Sequence, residues 1–342
     1  MKTSKFNILI LLTLILSMNC SAVRISKQVY KSFPVSQVQK LDLNNKYGNI
    51  YIENNRTDSV IVSADIWVDG SSDRAQHLLN NINVTVERKG NTVVAITTIE
   101  NTMNGNNEFS IDYHISIPVD RELAIVQKYG TLNMKDLTGK GTFEIKYGGL
   151  NGQKLRSPEL SMDIAYSKVN IEEIKDISLS LRYSKLKLEK GNNLKGETRY
   201  SGINIGECNQ IDLNSRYDNY KIEIANILIF NSMYTGTSID QLKSKLNLIN
   251  GYGGFTIRKI PAGFESITIE NKYAGIKLGI ASDAAYKLIG KSRYSNISHP
   301  DGKLNKNREG ANYEVSGTIG NSENPGSMVH IESSYGNVSL VP

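Results

Sequence analysis

A tyrosine that returns at nearly constant spacing constrains this chain more than any other feature. From Tyr129 to Tyr294 ten copies follow one another at intervals of 17–21 residues, and two further copies lie outside that range. A period of this length predicts a solenoid, in which each repeat is one coil and stacked coils bury a core that no single coil could bury. The twelve tyrosines are Tyr47, Tyr129, Tyr147, Tyr166, Tyr183, Tyr200, Tyr217, Tyr234, Tyr252, Tyr273, Tyr294 and Tyr335.

The residues around each tyrosine follow a strand pattern. The next residue is always small or a turn former, the third residue is usually apolar, and the fifth is apolar in ten of the twelve copies, with Gly152 and His299 as exceptions. Before the tyrosine, apolar residues lie two and four positions earlier, on the same side of the strand as the tyrosine, as in Leu179, Leu181 and Tyr183. Because alternate strand residues face opposite sides, we expect the tyrosine to end one inward-facing strand. A bend follows, where a Cβ is tolerated but a large side chain is not. A second short strand comes after the bend.

We therefore predict an all-β fold, a single-chain parallel β-helix with about 17–21 residues per coil. Twelve coils stacked about 4.8 Å apart would make a rod of roughly 55–60 Å. An antiparallel sandwich or barrel is the competing fold, but its corresponding positions need not repeat in register through so many consecutive units.

The repeats also define the domain organisation. Residues 23–122 are predicted to form a β-rich N-terminal region, holding a cap and the first coil, with one short helix near 72–82. Four strand-like runs and a Ser71/Ser72-Asp73 helix start support this. Residues 123–342 are predicted to be solenoid repeats, interrupted by an insertion loop at 301–324. The runs are Ser59–Val68, Asn83–Arg88, Thr92–Thr98 and Phe109–Val119.

Residues 1–22 have the pattern of a signal peptide. Lys2 and Lys5 precede the nine-residue apolar stretch Ile8–Leu16, which is too short to span a membrane, and cleavage would follow Ala22. A second interpretation makes Cys20 the acylated first residue of a lipoprotein, although Met18 and Asn19 fit that poorly. No later run of 18 apolar residues follows, so we predict no transmembrane segment after signal removal.

Composition excludes several classes of protein. The net charge is +6, and removing Lys2 and Lys5 leaves +4, which is too little for a dedicated nucleic-acid binder. Two cysteines cannot form a disulfide scaffold, and the four histidines are scattered. If Cys20 leaves with the signal, Cys208 is a lone thiol, which we interpret as a small buried hydrophobe. No cofactor or metal is predicted.

The position before the tyrosine is Lys or Arg in eight of twelve copies, and parity places it outward. In a stacked rod these cations would form a column about 5 Å apart. One interpretation is a solvated face that resists aggregation; the other is a cationic stripe that binds an acidic polymer. The eight are Lys46, Lys128, Lys146, Arg182, Arg199, Arg216, Lys272 and Arg293.

The tyrosine column itself, from Tyr129 to Tyr273, we interpret as a structural aromatic ladder, with stacking on sugar rings as the alternative. The asparagines four residues after the tyrosine (Asn133, Asn151, Asn170 and Asn204) are predicted to form an amide ladder.

With the repeat in view, the chain resembles the putative-adhesin β-strand-repeat family of unknown function, found in exported bacterial envelope proteins. The residues that carry the resemblance are KYGNIYI at 46–52, IPVDREL at 117–123 and the short Gly/Ser corner repeats that follow. The resemblance spans most of residues 36–342 and implies a β-solenoid with an adhesin label. It brings no catalytic or ligand residues. A tyrosine at nearly every corner departs from the plainer family pattern.

We predict a non-catalytic, exported, adhesin-like envelope protein that binds glycan or surface partners along its rod, located in the periplasm, on the outer-membrane surface or outside the cell. The expected partners are an acidic glycan or envelope polymer and other envelope proteins, with no nucleic acid. One alternative is a structural or regulatory periplasmic protein that acts through protein contacts. Another is a polysaccharide-acting β-helix enzyme, for which the sequence offers neither a nucleophile and base nor a recurring Asp/Glu column.

Overall fold

The computed structural model describes residues 23–54, 58–100 and 108–342. It is 72% strand with one short helix, and it forms a β-solenoid of about nine turns behind a β-rich N-terminal region. The predicted fold class is confirmed, although twelve coils were expected. The predicted signal peptide and Cys20 lie outside the described residues. No helix in the described part of the chain is long and apolar enough to cross a membrane.

The N-terminal region holds seven strands, a 3₁₀ turn at Val35–Gln37 and helix α1 at Ser72–Asn81, close to the predicted range. The strands are β1 Val23–Pro34, β2 Lys40–Lys46, β3 Ile50–Glu53, β4 Ser59–Gly70, β5 Ile82–Lys89, β6 Thr92–Ile99 and β7 Glu108–Ser116.

The solenoid begins with short strands, continues with five long ones and ends with nine more. In order they are β8 Glu122–Lys128, β9 Thr131–Leu137, β10 Gly141–Lys146, β11 Gly149–Leu155, β12 Leu160–Ala165, β13 Lys168–Arg182, β14 Lys185–Arg199, β15 Gly202–Arg216, β16 Asn219–Met233, β17 Gly236–Gly251, β18 Phe255–Ile260, β19 Ser266–Lys272, β20 Ile276–Ile280, β21 Tyr286–Arg293, β22 Ile297–Ser298, β23 Gly302–Glu309, β24 Asn312–Ile319, β25 Ser327–Ser334 and β26 Val338–Val341.

Parallel pairing in constant register makes the central coils superimpose. Lys168 pairs with Lys185, Lys185 with Gly202 and Gly202 with Asn219, so each step along the rod advances the chain by 17 residues. Equivalent side chains therefore stack directly on one another. The inward-facing column from Leu194 through Ile211 to Leu228 is at most 1% exposed and belongs to one continuous apolar core.

Antiparallel strands cover the N-terminal end of the rod. β4 pairs with β1 and β7, while β5 pairs with β6, which in turn lies parallel to β2. Helix α1 buries Ala75 and Leu79 against this cap. Lys27 Nζ donates hydrogen bonds of 2.6 Å to the carbonyls of Leu79 and Ile82 at the end of the helix, where the helix dipole favours a cation.

The C-terminal end differs from the prediction in two ways. Residues 301–324 are not simply a loop, because they contain the antiparallel hairpin β23–β24, which pairs with β21 and buries Tyr313, Val315 and Ile319 over the end of the core. The coils also do not stack in chain order, because β25 lies between β19 and β21. Apolar alternation in 312–319 could have indicated the hairpin, but the polar composition around it obscured that pattern.

Candidate binding face: a tyrosine ridge beside a cationic column

The twelve repeat tyrosines form one continuous stack, which we call the tyrosine ridge. Successive ring centroids are 4.8–5.2 Å apart and successive ring planes differ by only 2–12°. The stack runs in sequence order from Tyr47 to Tyr273 and then passes through Tyr335 to Tyr294. The predicted vertical alignment of the tyrosines is therefore present over the whole described rod.

The rings point outward, which corrects the expectation that each tyrosine ends an inward-facing strand. All the tyrosines of the ridge have φ between 50° and 65°, the left-handed region that non-glycine residues rarely occupy. The tyrosine is thus the corner residue itself, and the reversal of its φ turns the side chain away from the core. From Tyr129 onward each tyrosine of the ridge is 45–56% exposed to solvent.

Backbone and side-chain hydrogen bonds hold each corner in this conformation. Every ridge tyrosine N–H donates to a backbone carbonyl at 2.8–3.2 Å. The acceptor lies on a neighbouring coil except at Tyr294, whose N–H donates to Ala311 in the turn between β23 and β24. Ser184 Oγ accepts from the N–H of Ser167 on one coil and donates to the Arg182 carbonyl within its own coil, and Ser201 repeats the pattern. These bonds satisfy polar groups that the corner would otherwise leave buried without partners.

Some corners tolerate no side chain after the tyrosine. A Cβ at Gly148 would lie 1.9 Å from the Gly130 carbonyl oxygen, and one at Gly253 would lie 2.1 Å from the Thr235 carbonyl oxygen. The sequence pattern suggested that a Cβ fits at every such position. Only the backbone positions in the structure separate the glycine corners from the serine corners.

Stacking leaves only part of each ring available to a ligand. Except at the two ends of the ridge, both faces of every ring are covered by its neighbours, so a sugar ring cannot stack on them. The ring edges and hydroxyls remain exposed, and no hydrogen bond from a ridge hydroxyl to another described residue is present. The ridge therefore offers a row of phenol hydroxyls spaced by about one strand separation.

The register places the cations beside the ridge. Lys46, Lys128 and Lys146 are consecutive partners, and Arg182, Arg199 and Arg216 form a second uninterrupted run. We call the eight positions the cationic column. Ala165 separates the two runs, Met233 and Gly251 precede Lys272, and Ser334 separates Lys272 from Arg293. The column is therefore continuous over two blocks and broken towards the C-terminal end.

Local ion pairs neutralise only part of the column. Lys146 bonds Glu144 at 2.7 Å, Arg182 bonds Asp163 at 2.5 Å and Arg199 bonds Glu197 at 3.3 Å. Lys46 and Arg293 lie over the rings of Tyr47 and Tyr294. Lys128, Arg216 and Lys272 have no ion pair among the described residues, so the face keeps excess positive charge.

The amide ladder is present over three coils. Asn170 Nδ2 donates to Asn151 Oδ1 and Asn151 Nδ2 donates to Asn133 Oδ1, each at 2.9 Å. Lys187 occupies the next position in register, so Asn204 does not continue this ladder. A groove of about 490 Å³ runs along the ladder. The amides are occupied by one another, which makes the ladder a structural feature of the coil surface.

A buried carboxylate lies beneath the ridge at Asp218. It accepts hydrogen bonds of 2.6 Å from the hydroxyls of Thr198 and Ser215, and further bonds from the N–H groups of Ser201 and Arg216. Burial raises the pKa of Asp218 above its ordinary value, although these four donors oppose the rise. The other central corners use Ser or Thr at this position.

We expect Asp218 to make folding less favourable as pH rises. The folded chain binds this proton more tightly than the unfolded chain, whose aspartate pKa is about 3.9, so stability falls from about pH 4 upward through the folded-state pKa. Denaturant unfolding of wild type and Asp218→Asn between pH 4 and 8 measures this. The unfolding free energy of wild type should decline relative to that of the variant; a relative increase would contradict the assignment.

The histidines, cysteine and acidic residues that the structure describes do not cluster into a metal site. Among the described residues, no group of three His, Cys, Asp or Glu side chains could hold a metal ion. Cys208 is 1% exposed and burial raises the pKa of its thiol to about 12, so the thiolate that would react is suppressed. Its interpretation as a buried hydrophobe is confirmed.

No model of a protein family and no curated protein matches the chain. Solved structures that match it include a putative cell adhesion protein from Clostridium sporogenes, at 12% identity and a TM-score of 0.22, covering 92% of this chain and 99% of that one. A putative adhesin from Parabacteroides merdae matches at 8% identity with a TM-score of 0.37, and a putative lipid binding protein from Parabacteroides distasonis matches at 10% identity with a TM-score of 0.31. Each of these two matches covers 92% of this chain and 97% of the matched chain. Two of these three solved structures are named as adhesion proteins, the kind of protein that residues 46–52 and 117–123 resemble.

Proposed function

We propose that this chain is an exported, non-catalytic, adhesin-like rod that binds an acidic envelope polymer along the tyrosine ridge and the cationic column. The observation that carries the proposal is the combination, on one face, of exposed aromatic edges with free hydroxyls and of cations that lack ion-pair partners. A linear ligand fits best, because a tyrosine hydroxyl recurs at every coil and a cation accompanies it at eight of the twelve.

The size of the ridge supports a binding role. A tyrosine offers roughly 150–250 Å² of surface, so the eleven half-exposed residues from Tyr129 onward present about 1,000 Å² in one strip. The largest apolar patch on an ordinary monomer is about 300–600 Å², and a standard interface covers about 800 Å² per partner. Surface of this extent and continuity is typical of interaction sites.

The backbone geometry supports the same conclusion. A non-glycine residue held in the left-handed region costs on the order of 1 kcal/mol or more, and glycine would occupy these corners without that cost. The chain nevertheless places tyrosine at all twelve. Stacking offsets part of the cost, and a ligand that contacts the hydroxyls gives a reason to keep the phenol ring rather than any other aromatic group.

Charge selects the class of polymer. Lys128, Arg216 and Lys272 would gain partners from carboxylates or phosphates spaced along a chain, which a neutral glycan cannot supply. Attraction of this kind between exposed charges is screened within about 8–10 Å at ordinary ionic strength. Binding to an acidic polysaccharide should therefore weaken as salt increases.

The test measures binding of the mature chain to polygalacturonate and to a neutral polysaccharide by calorimetry at two salt concentrations. Wild type should bind only the acidic polymer. Replacing Arg182, Arg199 and Arg216 together by Glu should weaken binding about tenfold or more, since exposed charge contacts contribute up to about 1 kcal/mol each.

The matched control reverses three exposed cations away from the ridge, namely Lys175 and Lys190 on the coils of Arg182 and Arg199, and Lys221 on the coil after that of Arg216. This variant should bind like wild type. If both variants lost the same affinity, the loss would come from the change in net charge alone. Unchanged binding in the arginine variant would exclude the cationic column as the binding site.

A further inference from the structure

The last residues of the chain fill a slot between two coils that are already made. β19 and β21 are consecutive strands of their sheet face in the sequence, yet β25 lies between them and pairs with both in parallel register. On the adjoining face, β26 lies between β20 and β22 in the same way. Residues 327–341 thus form a single coil inserted into a gap that residues 266–298 leave open.

The inserted coil contributes core as well as backbone pairing. Val329, Ile331 and Val338 are 0% exposed and Leu340 is 2% exposed. Asn271 Nδ2 donates to Ser333 Oγ at 3.0 Å, and Ser327 donates to the Phe264 carbonyl. An empty slot would therefore present an apolar floor and two unpaired strand edges, which favour the capture of another strand.

The connection to the inserted coil is short and largely exposed. Residues 320–326 join the end of β24 to the start of β25, and only Pro325 among them is buried. Ile319 and Ser327 are both register partners of Tyr286, on opposite sides of β21. The linker therefore spans two strand separations, about 10 Å, and must also pass around β21.

We propose that this slot is a strand-acceptor site that recognises residues 327–341, and that a second copy of the chain can supply them. Everything up to residue 326 is synthesised first, so the slot exists before its occupant does, at the stage when folding chains expose unpaired edges. This inference does not depend on the proposed polymer binding.

In the native chain the tether favours self-insertion. A short flexible linker gives an effective concentration in the millimolar range, so at 10 µM chain the intramolecular product should prevail by about 100-fold. Shortening the linker removes this advantage. Exchange between copies should then become the only way to fill the slot, producing strand-swapped dimers or larger assemblies.

The experiment deletes residues 321–325 from the full chain. Gly320 and Gly326 then leave three Cα steps, at most about 11 Å, which cannot pass around β21. At 10 µM the variant should be largely dimeric or larger by chromatography with light scattering, while wild type is monomeric. The matched control replaces residues 321–325 by a Gly/Ser stretch of equal length and should stay monomeric.

A synthetic peptide of residues 327–342 gives the second readout. Refolding the deletion variant with excess peptide should shift it to a monomer with one peptide bound, whereas a peptide carrying Val329→Asp and Ile331→Asp should have no effect. A deletion variant that is a folded monomer without peptide, or one that does not fold with the peptide present, would overturn the proposal.

Discussion

Removing one complete coil, residues 204–220, should leave a folded rod. The deletion joins Ile203 to Lys221, and because Ile203 and Tyr220 are register partners, every later residue keeps its inward or outward direction. In a solenoid each coil contacts only its neighbours, so stability falls by about one coil and its interface. We expect a native far-UV circular dichroism spectrum and a cooperative thermal transition at a slightly lower midpoint.

Removing one residue fewer, 204–219, should be far more damaging. Strand side chains alternate with a period of two, so a one-residue slip turns Lys221 and Glu223 towards the core and Ile222 towards solvent. Each buried, unpaired charge costs several kcal/mol. Loss of the cooperative transition in this variant alone would verify the 17-residue coil; equal stability of the two deletions would show that the loops absorb the slip.

Substitutions at Tyr200 should separate ring stacking from backbone strain. Tyr200 has φ 52° and stacks on Tyr183 and Tyr217 at 4.9 Å. Tyr200→Val loses both stacking contacts, worth about 0.5–1.5 kcal/mol each, and keeps a β-branched residue in a left-handed conformation, so we expect about 3 kcal/mol of destabilisation. Tyr200→Gly loses the same contacts but relieves the strain, and should cost about 1–2 kcal/mol.

Denaturant unfolding at neutral pH measures this order, with Tyr30→Val as a control at an exposed tyrosine outside the ridge. If Tyr200→Gly were neutral or stabilising, stacking would contribute little to the fold, and the retention of tyrosine would have to come from binding. A Tyr200→Phe variant that is as stable as wild type but binds polygalacturonate more weakly would assign the binding to the hydroxyls.

The two ends of the rod differ in how many cations lie beside the tyrosine ridge. Towards the N-terminal end the cationic column runs without a break from Lys46 to Lys146, and Arg182 to Arg216 follow beyond Ala165. Towards the C-terminal end, Met233, Gly251 and Ser334 replace cations, so the ridge continues with less charge beside it. We expect an acidic polymer to lie mainly along the first seven coils.

The amino-acid sequence by itself determined the parallel coil, the vertical alignment of the tyrosines and the cationic column beside them. These features follow from a 17–21-residue period combined with two-residue alternation, both of which can be read from neighbouring residues in the sequence. The helix at 72–81 could also be predicted from the sequence, because an N-terminal cap and one apolar face are enough to indicate it.

Only the tertiary structure decided which way the tyrosines point and how the rod ends. The outward direction of the rings depends on a positive φ at the tyrosine itself, a conformation that coil-to-coil hydrogen bonds impose and that tyrosine does not prefer. The insertion of β25 between β19 and β21 depends on contacts between residues about 40 to 60 positions apart. Periodicity shows that coils stack, but the order in which they stack is set by which strand edges remain unpaired once the rest of the chain has folded.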